Sequence, residues 1–182
     1  MNLEKANSVD FGKYELHNKF PEITVSLLPD NVVNLVMNIA SGTKGEFTSL
    51  GQYMYQHFIL FKNDNVTNIY TAMERIAIRE MIHLDVLSKK LHVSGHDPQY
   101  CRYIDNNKDI CNYWSAGYVN YIQDIKGFII DNINLEKIAI EDYNNLLKVS
   151  NDKNLNEIVN LILKDEHSHL NYFEDVLTNL NY

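Results

Sequence analysis

Two cysteines, three prolines and seven glycines are all that 182 residues offer of the residue types that staple or punctuate a chain. Cys101 and Cys111 are too few for a disulfide framework and lack the paired CxxC spacing of a zinc ribbon or rubredoxin-like iron site, so free thiols are expected. Sparse Pro and Gly argue against many short strands joined by tight turns and for long helices. No apolar run approaches the roughly 20 residues that a membrane span requires, and residues 1–20 lack the apolar stretch of a secretory signal. A cytoplasmic protein without membrane attachment is expected. Positive charge is scarce as well: 16 Lys and Arg against 24 Asp and Glu leave a net charge of -8, with no basic cluster. That excludes an electrostatic nucleic-acid or anionic-membrane partner and is compatible with attracting cations. A chain of this length fits one domain able to bury roughly 70% of its unfolded surface.

What is present is helical periodicity. After Pro29-Asp30 an apolar pattern runs from residue 30 to about residue 61, where "KNDNVTN" interrupts it. A second helix is expected over about residues 67–93, stopped by "SGHDPQY". Residues 94–117 read as an irregular crossover, anchored on the bundle by Trp114 with Tyr113 and Tyr118. Third and fourth helices follow at about 118–149 and 154–180, separated by "SNDK". Two short connections around one long one give an all-α, antiparallel four-helix bundle with a crossover between helices 2 and 3. Residues 1–29 form an extension draped over this bundle of residues 30–182.

Steps of four and three along each helix trace the seam facing its neighbours. Helix 2 gives Ile69, Met73, Ile76, Glu80, His83 and Leu87; helix 4 gives Leu155, Val159, Ile162, Glu166, His169, Phe173, Val176 and Leu180. Helix 3 gives Ile129, Ile133, Glu136, Ile140, Tyr143 and Leu147, and helix 1 gives Val32, Val36, Ile39, Thr43, Glu46, Leu50, Tyr53, His57 and Leu60. Every seam thus carries one Glu at middle depth, and two add a His three residues later. The chain also repeats itself: a helix with Glu and, seven residues on, Tyr precedes a helix with Glu-x-x-His in each half.

Four carboxylates in one apolar interior repel one another, and desolvating each costs several kcal/mol. Two divalent cations would neutralise them. Glu-x-x-His places both side chains on one helical face, as a shared ion requires. Oxygen and imidazole donors without thiolate suit iron or manganese, with zinc as a substitute. One such tetrapeptide is ordinary helix surface; two in register with two further Glu point to a dinuclear centre of Glu46, Glu80, His83, Glu136, Glu166 and His169.

At "GEFTSLGQYMY", "IAIREMIHLDVL", "NLEKIAIEDY" and "LKDEHSHL" the chain resembles the ferritin-like di-iron and di-manganese carboxylate proteins, the group of bacterioferritins, rubrerythrins and manganese catalases. The resemblance covers about residues 30–180 and implies Glu46 and Glu136 as terminal ligands, Glu80 and Glu166 as bridges, and one ion for each of His83 and His169. Ala139 stands where rubrerythrins place an extra carboxylate, and a rubredoxin-like domain to feed electrons is not expected. The chain stops two residues after Leu180, without the fifth helix of bacterioferritins, so a homo-oligomer such as a dimer is expected over a cage. Met81 falls where a bacterioferritin haem ligand would lie, but core or dimer packing is the expectation and haem is not. Manganese catalases use fewer site Glu residues, so the fourth Glu leans toward iron.

The resemblance implies a redox enzyme that reduces or disproportionates peroxide, or oxidises Fe(II) with dioxygen or peroxide, with an external electron donor. An iron-binding or storage subunit, or a metal-stabilised structural protein, is the alternative. Tyr53 and Tyr143 read either as core tyrosines or as donors to the bridging carboxylates. His57 reads as a core histidine; His92, His96, His167 and Glu141 read as solvated.

Overall fold

The computed structural model describes residues 1–104 and 107–181. A short helix α1 (Leu3–Asn7) and a 3-10 turn (Phe11–Lys13) begin an extension that leads to α2 (Asp30–Ser41) and α3 (Glu46–Ile59). Then come α4 (Thr67–Val93), strands β1 (Cys101–Ile104) and β2 (Asn107–Tyr113), α5 (Ile125–Val149) and α6 (Lys153–Asn181). The bundle is all-α in its core: α3 packs mainly on α4 and α5 on α6, while α2 packs against β1, α5, α4 and α3. No helix among the described residues is long and apolar enough to cross a membrane.

Three elements depart from the sequence reading. The first bundle helix, expected unbroken from residue 30 to 61, is two helices separated by "GTKG". Gly42 and Gly45 are extended there (ψ 176° and 179°). A Cβ at Gly42 would lie 2.3 Å from the Asn38 carbonyl oxygen, and one at Gly45 2.2 Å from that of Ile39. Only glycine permits so close a fold of the chain on the preceding turn. Thr43, expected on the seam, is therefore exposed. Helix α5 starts at Ile125 rather than near 118, because Asp124 caps it by accepting from the Gly127 N–H at 2.7 Å. The crossover is not wholly irregular: β1 and β2 pair antiparallel, Cys101 opposite Tyr113 and Tyr103 opposite Cys111.

That pairing also corrects the expectation of free thiols. Cys101 and Cys111 are joined as a disulfide, their Cα atoms 5.6 Å apart, because the hairpin folds a ten-residue separation back on itself. Trp114 anchors the crossover as expected, donating to Thr48 Oγ1 at 2.9 Å and packing on Phe47. The extension is tied down at both ends: the Asn2 N–H donates to the Leu180 carbonyl, and the buried ammonium of Lys90 donates to the Thr24 carbonyl (3.0 Å) and Ser26 Oγ (2.9 Å).

The core divides into two apolar clusters. One gathers Tyr53, Ile69, Met73, Ile76, Phe128, Ile129 and Phe173; the other gathers Val32, Val36, Leu87, Tyr143, Leu155, Val159 and Ile162. Between them the seams of α3, α4, α5 and α6 carry their Glu and His residues.

Candidate metal centre

All six seam residues converge in that layer and are buried: Glu46 at 3% exposure, Glu80 1%, His83 0%, Glu136 2%, Glu166 1% and His169 3%. They form two overlapping groups, Glu46, Glu80, His83 and Glu166 on one side and Glu80, Glu136, Glu166 and His169 on the other. Within each, one donor atom per residue lies within 4.8 Å of all the others. Glu80 and Glu166 belong to both groups. Each His reaches inward with Nδ1: that of His83 is 2.9 Å from Glu166 and 3.4 Å from Glu80, and that of His169 is 3.0 Å from Glu80. The three-residue spacing explains this, since it stacks both side chains on one face.

The repeat seen in the sequence becomes a reciprocal exchange. Tyr53 of α3 donates to Glu136 of α5, and Tyr143 of α5 donates to Glu46 of α3. A Tyr two turns beyond the Glu of its own helix crosses the interior to the opposite helix. The hydroxyls therefore reach the outer carboxylates Glu46 and Glu136, not Glu80 and Glu166, where the donor reading had placed them. Burial and the neighbouring phenolate-disfavouring carboxylates push both Tyr hydroxyls well above their ordinary range.

The carboxyls divide by environment. Burial and the charges of Glu80 and Glu166 raise Glu46 well above the ordinary 4.5, and burial with the charge of Glu166 does the same to Glu136. Burial also pushes on Glu166 and Glu80, but the close imidazoles of His169 and His83 outweigh it and lower both. Burial pulls the imidazoles down; the acceptor oxygens of Asp165 and Glu166 beside His83, and of Glu136 and Glu166 beside His169, carry both well above 6.5. Without metal the layer thus favours charged imidazoles against ionised Glu80 and Glu166, and the neutral form of Glu46 and Glu136.

Asp165, missed by the sequence reading, is the seventh member. It is 2% exposed, its Oδ2 lies 3.2 Å from His83 Nε2, and the guanidinium of Arg79 clamps it at 2.6 and 2.7 Å. The only signal was its place directly before Glu166, one position off the seam. His169 has a different setting, against the Phe11 ring at 6.3 Å and at the wall of a cavity. Phe20 meets His83 edge-on and lies under Arg79, so two aromatic residues of the extension cover the two histidines. Elsewhere His57 is buried with Nδ1 3.1 Å from the Tyr70 carbonyl, and His92, His167 and Glu141 are exposed; His96 is only partly so. Met81 is 51% exposed on the outer side of α4, outside the core.

A buried polar layer is costly unless its atoms are satisfied. Glu46 Oε2, Glu80 Oε1, Glu166 Oε1 and both His Nδ1 atoms have no hydrogen-bond partner, and all lie in this layer. Oxygen and imidazole donors left open toward one another are the donor set of hard to borderline divalent cations.

Residues 40–182 match the ferritin-like domain of the ferritin family, and the chain belongs to that family. Among solved structures it is similar to KatB, a manganese catalase from Anabaena: 24% identity, TM-score 0.73, over 92% of this chain and 81% of that one. It is also similar to the Desulfovibrio desulfuricans bacterioferritin, described with a diiron site: 22% identity, TM-score 0.67, over 84% of this chain and 83% of that one. No curated protein matches the chain in sequence.

Proposed function

We propose that the layer holds two metal ions, iron or manganese, and that the protein is a redox enzyme acting on peroxide or dioxygen. The single observation that carries this reading is the pair of overlapping donor groups sharing Glu80 and Glu166. Glu80 and Glu166 would be shared by both ions, Glu46 and His83 would help hold one, and Glu136 and His169 would help hold the other. Such a pair of ions supplies Lewis acidity and electrons for cleaving an O–O bond.

The chain's own residues set the conditions for that chemistry. Tyr53 and Tyr143 fix the outer carboxylates by hydrogen bonds, and Arg79 holds Asp165, which orients the His83 ring. Phe11 and Phe20 keep bulk water from the histidines. On the opposite flank a recess of about 10 Å³ lies beside Glu46, Ser49 and Ala139, room for one water-sized molecule. Peroxide or dioxygen would need that recess to widen, and a longer side chain at position 139 would close it.

The test is to load the protein with Fe(II) or Mn(II) and compare its reaction with hydrogen peroxide and with dioxygen. The reading expects the Fe(II)-loaded protein to react faster with peroxide, and His83→Ala or Glu80→Ala to abolish that reaction. Loaded protein no faster than free ions, or either variant fully active, would overturn it. Iron storage is the second reading, favoured by the bacterioferritin-like fold; a cage mass by sedimentation would support it, whereas the enzyme reading goes with a dimer.

A further inference from the structure

The cavity at His169 is distinct from the recess beside Ala139. It lies between α4 and α6, on the other flank of the layer, under the extension, and it opens to solvent where Leu16, His17 and Ile78 are exposed. Its volume is about 140 Å³ and its apolar walls are Phe11, Tyr14, Leu16, Ile78 and Ile82. An apolar cavity of about 150 Å³ accommodates benzene. A nicotinamide dinucleotide or a flavin needs several times that space, since pockets for drug-sized ligands run to roughly 300–1,000 Å³.

The polar part of the lining restricts the ligand further. Arg75 pairs with Glu15 at 3.0 Å and Arg79 with Asp165 at 2.6 Å, so both guanidiniums in the wall are neutralised by a carboxylate. The polar lining is completed by Ser168, by Tyr14, whose hydroxyl donates to Asp175, and by His17 at the exposed rim. An anionic ligand meets no unpaired cation here, while the partly exposed Glu15 carboxylate offers an acceptor to a hydroxyl hydrogen. The inner wall is the His169 ring, whose Nδ1 faces the carboxylate layer.

We propose that this cavity binds a neutral, single-ring dihydroxyarene of the hydroquinone class, which serves as the two-electron donor for peroxide reduction. The diol loses two O–H hydrogens as two protons and two electrons and becomes the quinone. In the peroxide the O–O bond breaks and two O–H bonds form, giving two waters. His169, between the ring and the layer, is the short path for the electrons. Oxidant and reductant thereby approach from opposite flanks of the bundle, and no attached electron-transfer domain is needed. The binding half stands on the cavity alone; the redox half rests on the proposed function.

Binding is tested with phenol, titrated by calorimetry and NMR into zinc-loaded protein, which is redox-inert. Saturable binding is expected, weakened at least about tenfold by Ile78→Trp and by Leu16→Trp, which fill the volume from two separate walls. Ile130→Trp, on the exposed side of α5, is the control and should bind phenol as the wild type does. Hydroquinone and peroxide are then supplied to iron- or manganese-loaded protein, with about one quinone expected per peroxide consumed. Absence of saturable phenol binding, or equal affinity in both cavity variants, would overturn the inference whatever the peroxide result. Peroxide consumed without quinone formation would overturn the redox half and leave the proposed function standing. Phenol bound with no peroxide consumed under any reductant would instead remove the proposed function, and the redox half with it.

Discussion

Loading metal at neutral pH should expel protons in a defined ratio. In the metal-free layer facing carboxylates favour the charged form of His83 and His169, while burial with Glu80 and Glu166 favours the neutral form of Glu46, and burial with Glu166 that of Glu136. Glu80 and Glu166, lowered by the two imidazoles, are already ionised. A metal ion binds neutral imidazole and ionised carboxylate, so each of His83, His169, Glu46 and Glu136 gives up one proton, about four for a full site. The layer remains neutral throughout, because two dications replace those four positive charges. Weakly buffered protein at pH 7, titrated with Mn(II) without oxidant, would show the release on a pH-stat. The ratio should approach two protons per ion, and Glu136→Gln should reduce the total by about one. A release near zero would mean that the acids and imidazoles were already deprotonated, which would refute the assigned electrostatics.

Three further outcomes follow from the same layer. Removing metal at pH 7 should lower Tm by roughly 5–10 °C per ion, the linkage expected at a free ion concentration about a hundred times Kd in a chain of this size; equal melting of both forms by calorimetry would contradict this. The metal-free protein should melt lower at pH 8 than at pH 6. The sign follows from the raised folded values of Glu46, Glu136, His83 and His169: their contribution is complete below the unfolded 4.5 and 6.5 and is lost as pH rises through the folded values. A rise in Tm over that interval would reverse the assignment. Asp165→Asn should weaken metal binding by about 10–100-fold, and unchanged affinity in a competition with a chelator would remove Asp165 from the site.

The seam count found the buried Glu and His cluster because its residues occupy apolar positions without breaking the helical period. Glu80 and His83 stand where Met73 and Ile76 stand one turn pair earlier, and the same holds for Glu166 and His169 after Val159 and Ile162. The same regularity hid the break between α2 and α3: Ile39 and Glu46 are seven residues apart, a full seam repeat, so the pattern carries across a gap that only Gly42 and Gly45 betray. The disulfide depends on the hairpin register of β1 and β2, and strands of four and seven residues leave little periodic trace. Asp165 could not be assigned because its role comes from α4 packing on α6, which brings Arg79 and His83 to it from 86 and 82 residues away. The tyrosine pair was half legible: the repeat marked Tyr53 and Tyr143, but which carboxylate each meets is set by the reciprocal crossing of α3 and α5.

The central claim is that two overlapping donor groups hold two ions in one chain. The most direct measurement is an anaerobic titration with Fe(II) or Mn(II), followed by desalting and elemental analysis against protein concentration. The account expects a plateau at two ions per chain, falling to one or fewer in Glu166→Ala because both groups lose a donor. A clean plateau at one ion, or none, in the wild type would contradict it.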